Sequence, residues 1–173
     1  MSPNGQGLLP VQRQTVLAIL DCAMIRGAMS QPHVEALTER ETYDLLCAYA
    51  VTHADPDFVL QHLVDTFAAQ TATASTKPIT LAMSLVGLYL AAAKGYSGRK
   101  VQHVHTLLAR GGRKTWPVFA LPEHWGAIRV GDVMAEPPGR ERDALIHRWC
   151  ASVWTAFAGN RDAVVELLRT SLP

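Results

Sequence analysis

Charged side chains are scarce in this sequence of 173 residues: they make up 18% of it, and the formal net charge is only +1. A net charge so close to zero gives no reason by itself to expect a strongly charged partner. Hydrophobic residues reach 49%, which excludes a largely disordered chain. A chain of this length can form one core without disulfides or a structural metal.

Cysteine is also rare, since Cys22, Cys47 and Cys150 are the three in the chain. Their odd number and wide spacing match neither a disulfide scaffold nor a paired-cysteine zinc site. Each lies in an apolar stretch, where a free cysteine behaves as a small hydrophobic residue. We therefore expect a reducing, cytoplasmic setting.

Secretion signals and long hydrophobic runs are missing. The first letters, MSPNGQGLLPVQRQ, lack a basic head followed by an apolar run, so we expect residues 1–10 to be a disordered lead-in. The long uncharged stretch Ile79–Ala93 has 15 residues, fewer than the roughly 18 that a membrane span needs. It is better explained as a buried core helix, and we expect no membrane partner.

Helical periodicity and helix-start signals fill most of the sequence. Thr38 lies three residues before Glu41, which is the spacing of a capping box. Asp55, Pro56 and Asp57 supply a cap, a first-turn proline and an acid for the positive end of a helix dipole. No segment alternates cleanly enough for a strand. The pattern predicts helices at about 11–29, 38–50, 55–70, 78–95, 97–110, 140–157 and 160–172.

These helices predict an all-α fold. We expect residues 11–173 to form a single-domain bundle of six or seven helices, with the apolar helix at about 79–93 in its centre. The letters RGGRKTWPVFALPEHWG hold glycines, two prolines and two tryptophans without a helical period. We interpret them as an ordered loop that its aromatic residues pin to the core.

A candidate metal site comes from histidine and aspartate at helical spacing. His62 and Asp65 are three residues apart and so face the same way on a helix. His105 has apolar neighbours at helical spacing and so points to the core as well. Inward-facing ligands from different helices are a recurring metal site in bundles, and Cys47 or His53 could complete this one with a divalent transition metal. The alternative is structural, a buried histidine that hydrogen-bonds a carboxylate or a backbone carbonyl.

A basic stretch is the second candidate site. No acidic residue lies between Asp65 and Glu123, whereas seven lysines and arginines do. Such a stretch could bind phosphate, a carboxylate ligand or a nucleic-acid backbone, or it could be a solvated face. No Gly-Lys-Ser/Thr phosphate loop is present. The candidate anion-binding residues are Arg99, Lys100, Arg110, Arg113 and Lys114.

The spacing of His147 and Cys150 would let an imidazole activate a thiol. However, Cys150 lies on an apolar helix stripe with Ile146 and Val153, which favours a core residue.

Three stretches follow one another in a familiar order: YDLLCAYAVTHADPDFVLQHLVDTFAAQ, the apolar LAMSLVGLYL, and GYSGRKVQHVH. This order resembles a family of small bacterial proteins of unknown function, and the resemblance covers roughly Tyr43 to Phe157. It implies a bacterial origin and no particular activity.

Three functional hypotheses follow. The first is a protein that binds a metal ion or a small ligand in a polar pocket inside the bundle, with an enzymatic role left open. The second is a non-catalytic interaction module or homodimer that uses the loop from Trp116 to Trp125 and the last helices. The third is an anion or nucleic-acid binder that uses the basic residues 94–114.

Overall fold

The computed structural model describes residues 36–53 and 59–172, and within these ranges it is helical without a strand. The all-α class is therefore confirmed. The described helices are α1 (Glu39–Thr52), α2 (Leu60–Gln70), α3 (Pro78–Leu88), α4 (Gly98–Arg110), α5 (Val130–Ala135), α6 (Arg140–Ala156) and α7 (Arg161–Ser171). The predicted lead-in at 1–10, the predicted helix at 11–29 and the helix start at Asp55-Pro56-Asp57 lie outside the described residues.

Helix α1 begins with the capping box that the sequence predicts. The Glu41 backbone N–H donates to Oγ1 of Thr38 at 3.2 Å, and the Thr38 backbone N–H donates to Oε2 of Glu41 at 2.8 Å. The bond from the Thr38 backbone N–H is the main cause that lowers the pKa of the Glu41 carboxyl, and a bond from the Thr38 hydroxyl adds to it. Two N–H groups that the helix cannot use internally are satisfied in this way, which fixes the first residue of α1.

Helix α3 is the apolar central helix. Seven of its eleven residues are buried, and it packs against α2, α4, α6 and α7. A single π-helical turn, Tyr89–Ala93, continues it to the end of the uncharged run. Contact on all sides explains why residues 81–90 are almost wholly apolar and lack a polar face, whereas both ends of the run are exposed. Within the described ranges no helix is long and apolar enough to cross a membrane.

Residues 111–129 follow α4 without regular structure and are held by specific contacts. Phe119 is buried, and Trp125 packs edge-on against Phe157 with ring centroids 5.9 Å apart. Asn160 hydrogen-bonds both the N–H and the carbonyl of Ala120, at 3.0 and 2.9 Å. Aromatic and amide side chains together therefore fix this segment on the helices.

Helix α5 has no counterpart among the predicted helices. Its six residues are too few to give a periodic signal, because they complete fewer than two turns. The carboxylate of Asp132 accepts the Arg129 backbone N–H at 2.7 Å and so caps its first turn. Val130 and Val133 are its buried residues, and they attach it to the core.

Candidate functional site at the Asp65 carboxyl

Asp65 lies in the middle of α2, is 3% exposed and faces the central helix. Its neighbour there is Gly87 of α3: a Cβ built on this glycine would overlap Oδ2 and Cγ of Asp65. The carboxyl therefore occupies the space that any side chain at position 87 would need. A residue without a side chain is required at this contact because a carboxyl fills the space.

Gln61 lies one turn before Asp65 and connects it to a third helix. Its Nε2 is 3.2 Å from both carboxyl oxygens of Asp65 and 3.5 Å from Nδ1 of His105 in α4. An amide N–H can only donate, so Nδ1 is the accepting nitrogen in this contact. A neutral His105 then carries its proton on Nε2.

His105 is half-buried, and its Nε2 is buried without a hydrogen bond among the described residues. Burial lowers the pKa of His105, and the nearby backbone of Met83 opposes this shift only in part. The imidazole therefore resists protonation, and the Met83 backbone near it gives Nε2 no hydrogen bond of good geometry. Unsatisfied buried polar atoms are uncommon in folded proteins and call for an explanation.

The Asp65 carboxyl keeps its proton to an unusually high pH. Burial raises its pKa well above the ordinary value, and the hydrogen bond from Gln61 lowers it only in part. An ionised carboxylate loses its hydration when it is buried, so the neutral acid is favoured. Ionisable groups with pKa values shifted by burial are frequent at functional sites.

Cys150 of α6 lies close to this carboxyl and belongs to the core. Burial, as the main cause, raises the pKa of its thiol to about 12, and the Asp65 charge adds to the shift while a hydrogen bond with Thr66 lowers it. At neutral pH the sulfur is therefore a thiol and not a nucleophilic thiolate. The neighbouring His147 is exposed and directs its ring toward His62.

The five predicted metal ligands are distributed among different neighbours. The Gln61 amide joins Asp65 and His105, whereas the buried His62 ring packs edge-on against His147 with centroids 5.9 Å apart. In α1, Cys47 is half-buried, and Nδ1 of His53 lies 2.9 Å from the Tyr49 carbonyl oxygen.

Across residues 36–53 and 59–172, no group of three or more His, Cys, Asp or Glu side chains could hold a metal ion. Metal binding by His62, Asp65 and His105 therefore stays a prediction, and no cluster of ligands among the described residues supports it.

Two residues of the site, Gln61 and Gly87, are missing from the sequence-based candidates. Gln61 precedes Asp65 by four residues, a spacing that places two side chains on one helix face. That spacing is the signal that could have revealed it. For Gly87 no such signal exists, because nothing in the sequence pairs it with an acid on another helix.

The predicted anion-binding residues do not share one location. Arg99 and Lys100 line an open cavity of about 450 Å³ on α4 together with Tyr96, His103 and Val104. Arg113 instead donates to the hydroxyls of Thr170 at 3.1 Å and Ser171 at 2.7 Å, at the end of α7. Arg110 and Lys114 are exposed.

The surface predicted for self-association contains one very exposed apolar residue. Val118 is 86% exposed, whereas Phe119 beside it is buried. Self-association stays a prediction.

The fold and site define a helical protein with a buried carboxyl packed against its central helix. Residues 39–158 match the model of the Family of unknown function (DUF5946), which is well over half of the chain. The chain therefore belongs to this family, and the resemblance inferred from its motifs is confirmed. No curated protein and no solved structure matches it.

Proposed function

We propose that the protein binds a small polar ligand between α2, α3 and α4, where Asp65 acts as a neutral acid beside Gln61 and His105. The observation that carries the proposal is the packing of the buried Asp65 carboxyl directly on Gly87, with the Gln61 amide as its one hydrogen-bond partner among the described residues. Gln61 and His105 are half-buried, which supports an approach from the surface to the carboxyl.

A purely structural role would favour full hydrogen bonding, and Gln70 on the same helix provides the comparison. Its side chain makes three hydrogen bonds of 2.8–2.9 Å to groups outside α2. Asp65 shares one amide between its two oxygens, and Nε2 of His105 makes no hydrogen bond of good geometry among the described residues. Partly satisfied buried polar groups reduce stability, so a ligand that completes the bonds would account for them.

The Asp65 carboxyl and the His105 imidazole suit the recognition of a ligand by hydrogen bonds. A neutral carboxyl offers both a donor and an acceptor, and a neutral imidazole with its proton on Nε2 offers a donor. Carboxyl and imidazole are also the groups that general acid–base catalysis uses most, so an enzymatic role falls within the proposal. A divalent metal would instead require Asp65 to ionise, which its burial opposes.

The test is a thermal-melt screen of small alcohols, amides, carboxylic acids and divalent metal salts. Wild-type protein is compared with Asp65→Asn and with the control Asp162→Asn, which changes an exposed aspartate in α7. We expect at least one compound to stabilise wild type and the control but not Asp65→Asn. A ligand at a hundred times its Kd adds about 2.7 kcal/mol, which a melt readily detects.

A stabilising compound that acts equally on Asp65→Asn would refute the proposal, and so would a screen without any stabilising compound. Metal analysis of the protein after mild purification identifies a metal ion if that is what the site holds.

We propose a cytoplasmic location on the basis of the thiols. Both described cysteines, Cys47 and Cys150, are free. Unpaired cysteines are typical of proteins kept in a reducing compartment.

A further inference from the structure

A cavity of about 340 Å³ lies between the segment after α4 and helix α7, and it shares no residue with the Asp65 site. Both elements give it apolar walls, Trp116 and Pro117 from the segment and Ala163 and Leu167 from the helix. Small-molecule sites have volumes of roughly 300–1,000 Å³ and mostly apolar walls with a few polar groups. This cavity therefore has the size and the kind of lining that a small ligand needs.

Arg113 supplies the cation in the lining, and the end of α7 holds its side chain in place. The residue is half-buried, and its Nη2 donates to the hydroxyls of Thr170 at 3.1 Å and Ser171 at 2.7 Å. These bonds use Nη2 alone, whereas a guanidinium has five N–H donors, so Nε and Nη1 keep donors for a ligand. An adjoining cavity of about 250 Å³ also has Arg113 and Thr170 in its lining, so open space meets the guanidinium in both cavities.

The acid in the lining, Glu166, is paired with a different cation. Nε and Nη2 of Arg169 donate to its two carboxylate oxygens at 2.8 and 2.7 Å, which balances its charge. Both hydrogen-bond acceptors of Arg113 are neutral hydroxyls, and among the described residues no carboxylate lies within ion-pair distance of it. The ionic partner of Arg113 is therefore still to be supplied, and the cavity is the space from which it can come.

We propose that this cavity binds a small carboxylic acid with an apolar body. The carboxylate accepts hydrogen bonds from Arg113, since a planar guanidinium and a planar carboxylate match in geometry and bind by parallel hydrogen bonds. The apolar body packs against Trp116 and Leu167 and gains the free energy of apolar burial. A monocarboxylate suits the cavity better than a phosphate, because a second negative charge would be repelled by Glu166.

An NMR titration of the ¹⁵N-labelled full chain with phenylacetate tests the proposal, and phenylacetamide is the matched ligand of the same shape without the charge. We expect phenylacetate to shift the indole N–H resonance of Trp116 and the backbone resonances of residues 163–170. Phenylacetamide should bind about tenfold more weakly at the same resonances, since it loses a charged hydrogen bond.

Two variants of the protein separate the charge from the apolar walls. Arg113→Gln should weaken phenylacetate about tenfold, whereas the matched control Arg110→Gln, which removes an exposed cation outside both cavities, should leave binding unchanged. Ala163→Leu leaves Arg113 and its two hydroxyl partners in place but fills the space where the apolar body lies, so it should abolish the shifts. Circular dichroism of each variant verifies that the helices are intact.

The proposal is overturned if phenylacetate shifts none of these resonances in wild type. Equal binding of phenylacetate and phenylacetamide would identify an apolar cleft without an acid site, and equal losses in Arg113→Gln and Arg110→Gln would indicate a diffuse charge effect. Inorganic phosphate that shifts the same resonances as strongly as phenylacetate would overturn it as well, because the apolar walls would then contribute nothing.

Discussion

Ionisation of Asp65 couples the stability of the protein to pH. Because burial raises its pKa, the folded protein holds this proton to a higher pH than the unfolded chain does. The free energy of unfolding therefore falls as the pH rises from about 4 through the pKa of the folded state. His105 contributes in the opposite direction, since its lowered pKa removes stability as the pH falls below about 6.5.

We expect Asp65→Asn to abolish the part of this pH dependence that belongs to the carboxyl. Asparagine keeps the shape of the side chain and a hydrogen bond to Gln61 but cannot ionise. The stability of Asp65→Asn relative to wild type should therefore increase as the pH rises from 5 to 8. Urea unfolding at several pH values measures the difference in the free energy of unfolding between the two proteins. Both proteins contain His105, so its contribution to the pH dependence cancels to first order in this comparison. Parallel pH profiles for the two proteins would mean that Asp65 does not titrate with a raised pKa.

The thiols provide a second measurement on single residues. Cys150 is buried with a pKa of about 12, whereas Cys47 is half-buried. We expect alkylation of the native protein at pH 8, followed by peptide mass spectrometry, to modify Cys47 well before Cys150. Faster modification of Cys150 would show that its surroundings open to solvent.

At the scale of the elements, the contact between α2 and α3 depends on Gly87. Alanine in place of glycine inside a helix normally adds up to about 1 kcal/mol of stability. At this position the added methyl group overlaps the Asp65 carboxyl, and overpacking of a core contact typically costs about 1–3 kcal/mol. We therefore expect Gly87→Ala to destabilise the protein in a chemical-denaturation experiment.

Gly131→Ala in α5 is the matched control, because a Cβ there meets nothing within 4 Å. It should be neutral or slightly stabilising. The double variant Gly87→Ala with Asp65→Ala should recover part of the loss, since the second change removes the overlapping carboxyl. Strictly additive effects of the two changes would show that α2 and α3 do not meet through this pair.

The sequence predicted the helices well where local signals exist, and less well where tertiary contacts decide. The Thr38 capping box and the apolar run of α3 are local, and both are present in the structure. His62 and Asp65 share a broad helix face, but three residues on a helix turn through about 300°, so their directions differ by about 60°.

This difference in direction is enough to give the two side chains different neighbours. His62 contacts His147 of α6, whereas Asp65 contacts Gly87 of α3. Which helix lies beside each residue follows from packing of the whole chain, and the spacing along one helix does not contain that information.

At the scale of the whole molecule, Gln70 joins three parts that are far apart in the sequence. Its Nε2 donates to the carbonyls of Trp125 and Ile128 at 2.9 and 2.8 Å, and its Oε1 accepts the indole N–H of Trp149 at 2.9 Å. Helix α2, the segment before α5 and helix α6 therefore meet at one buried amide. The amide nitrogen and the amide oxygen both make hydrogen bonds, so an apolar side chain of the same shape cannot replace Gln70 without a loss of stability.

We expect Gln70→Leu to destabilise the protein by about 2–4 kcal/mol, because it leaves the buried N–H of Trp149 and two carbonyls without partners. The loss should be uneven: hydrogen exchange at residues 125–129 should accelerate more than exchange in α3, since that segment is held to α2 by the two lost bonds. Gln102→Leu on the exposed side of α4 is the control and should change stability by no more than about 0.5 kcal/mol. Unchanged exchange at 125–129 in Gln70→Leu would show that Trp125 and its aromatic contact with Phe157 hold the segment without the amide.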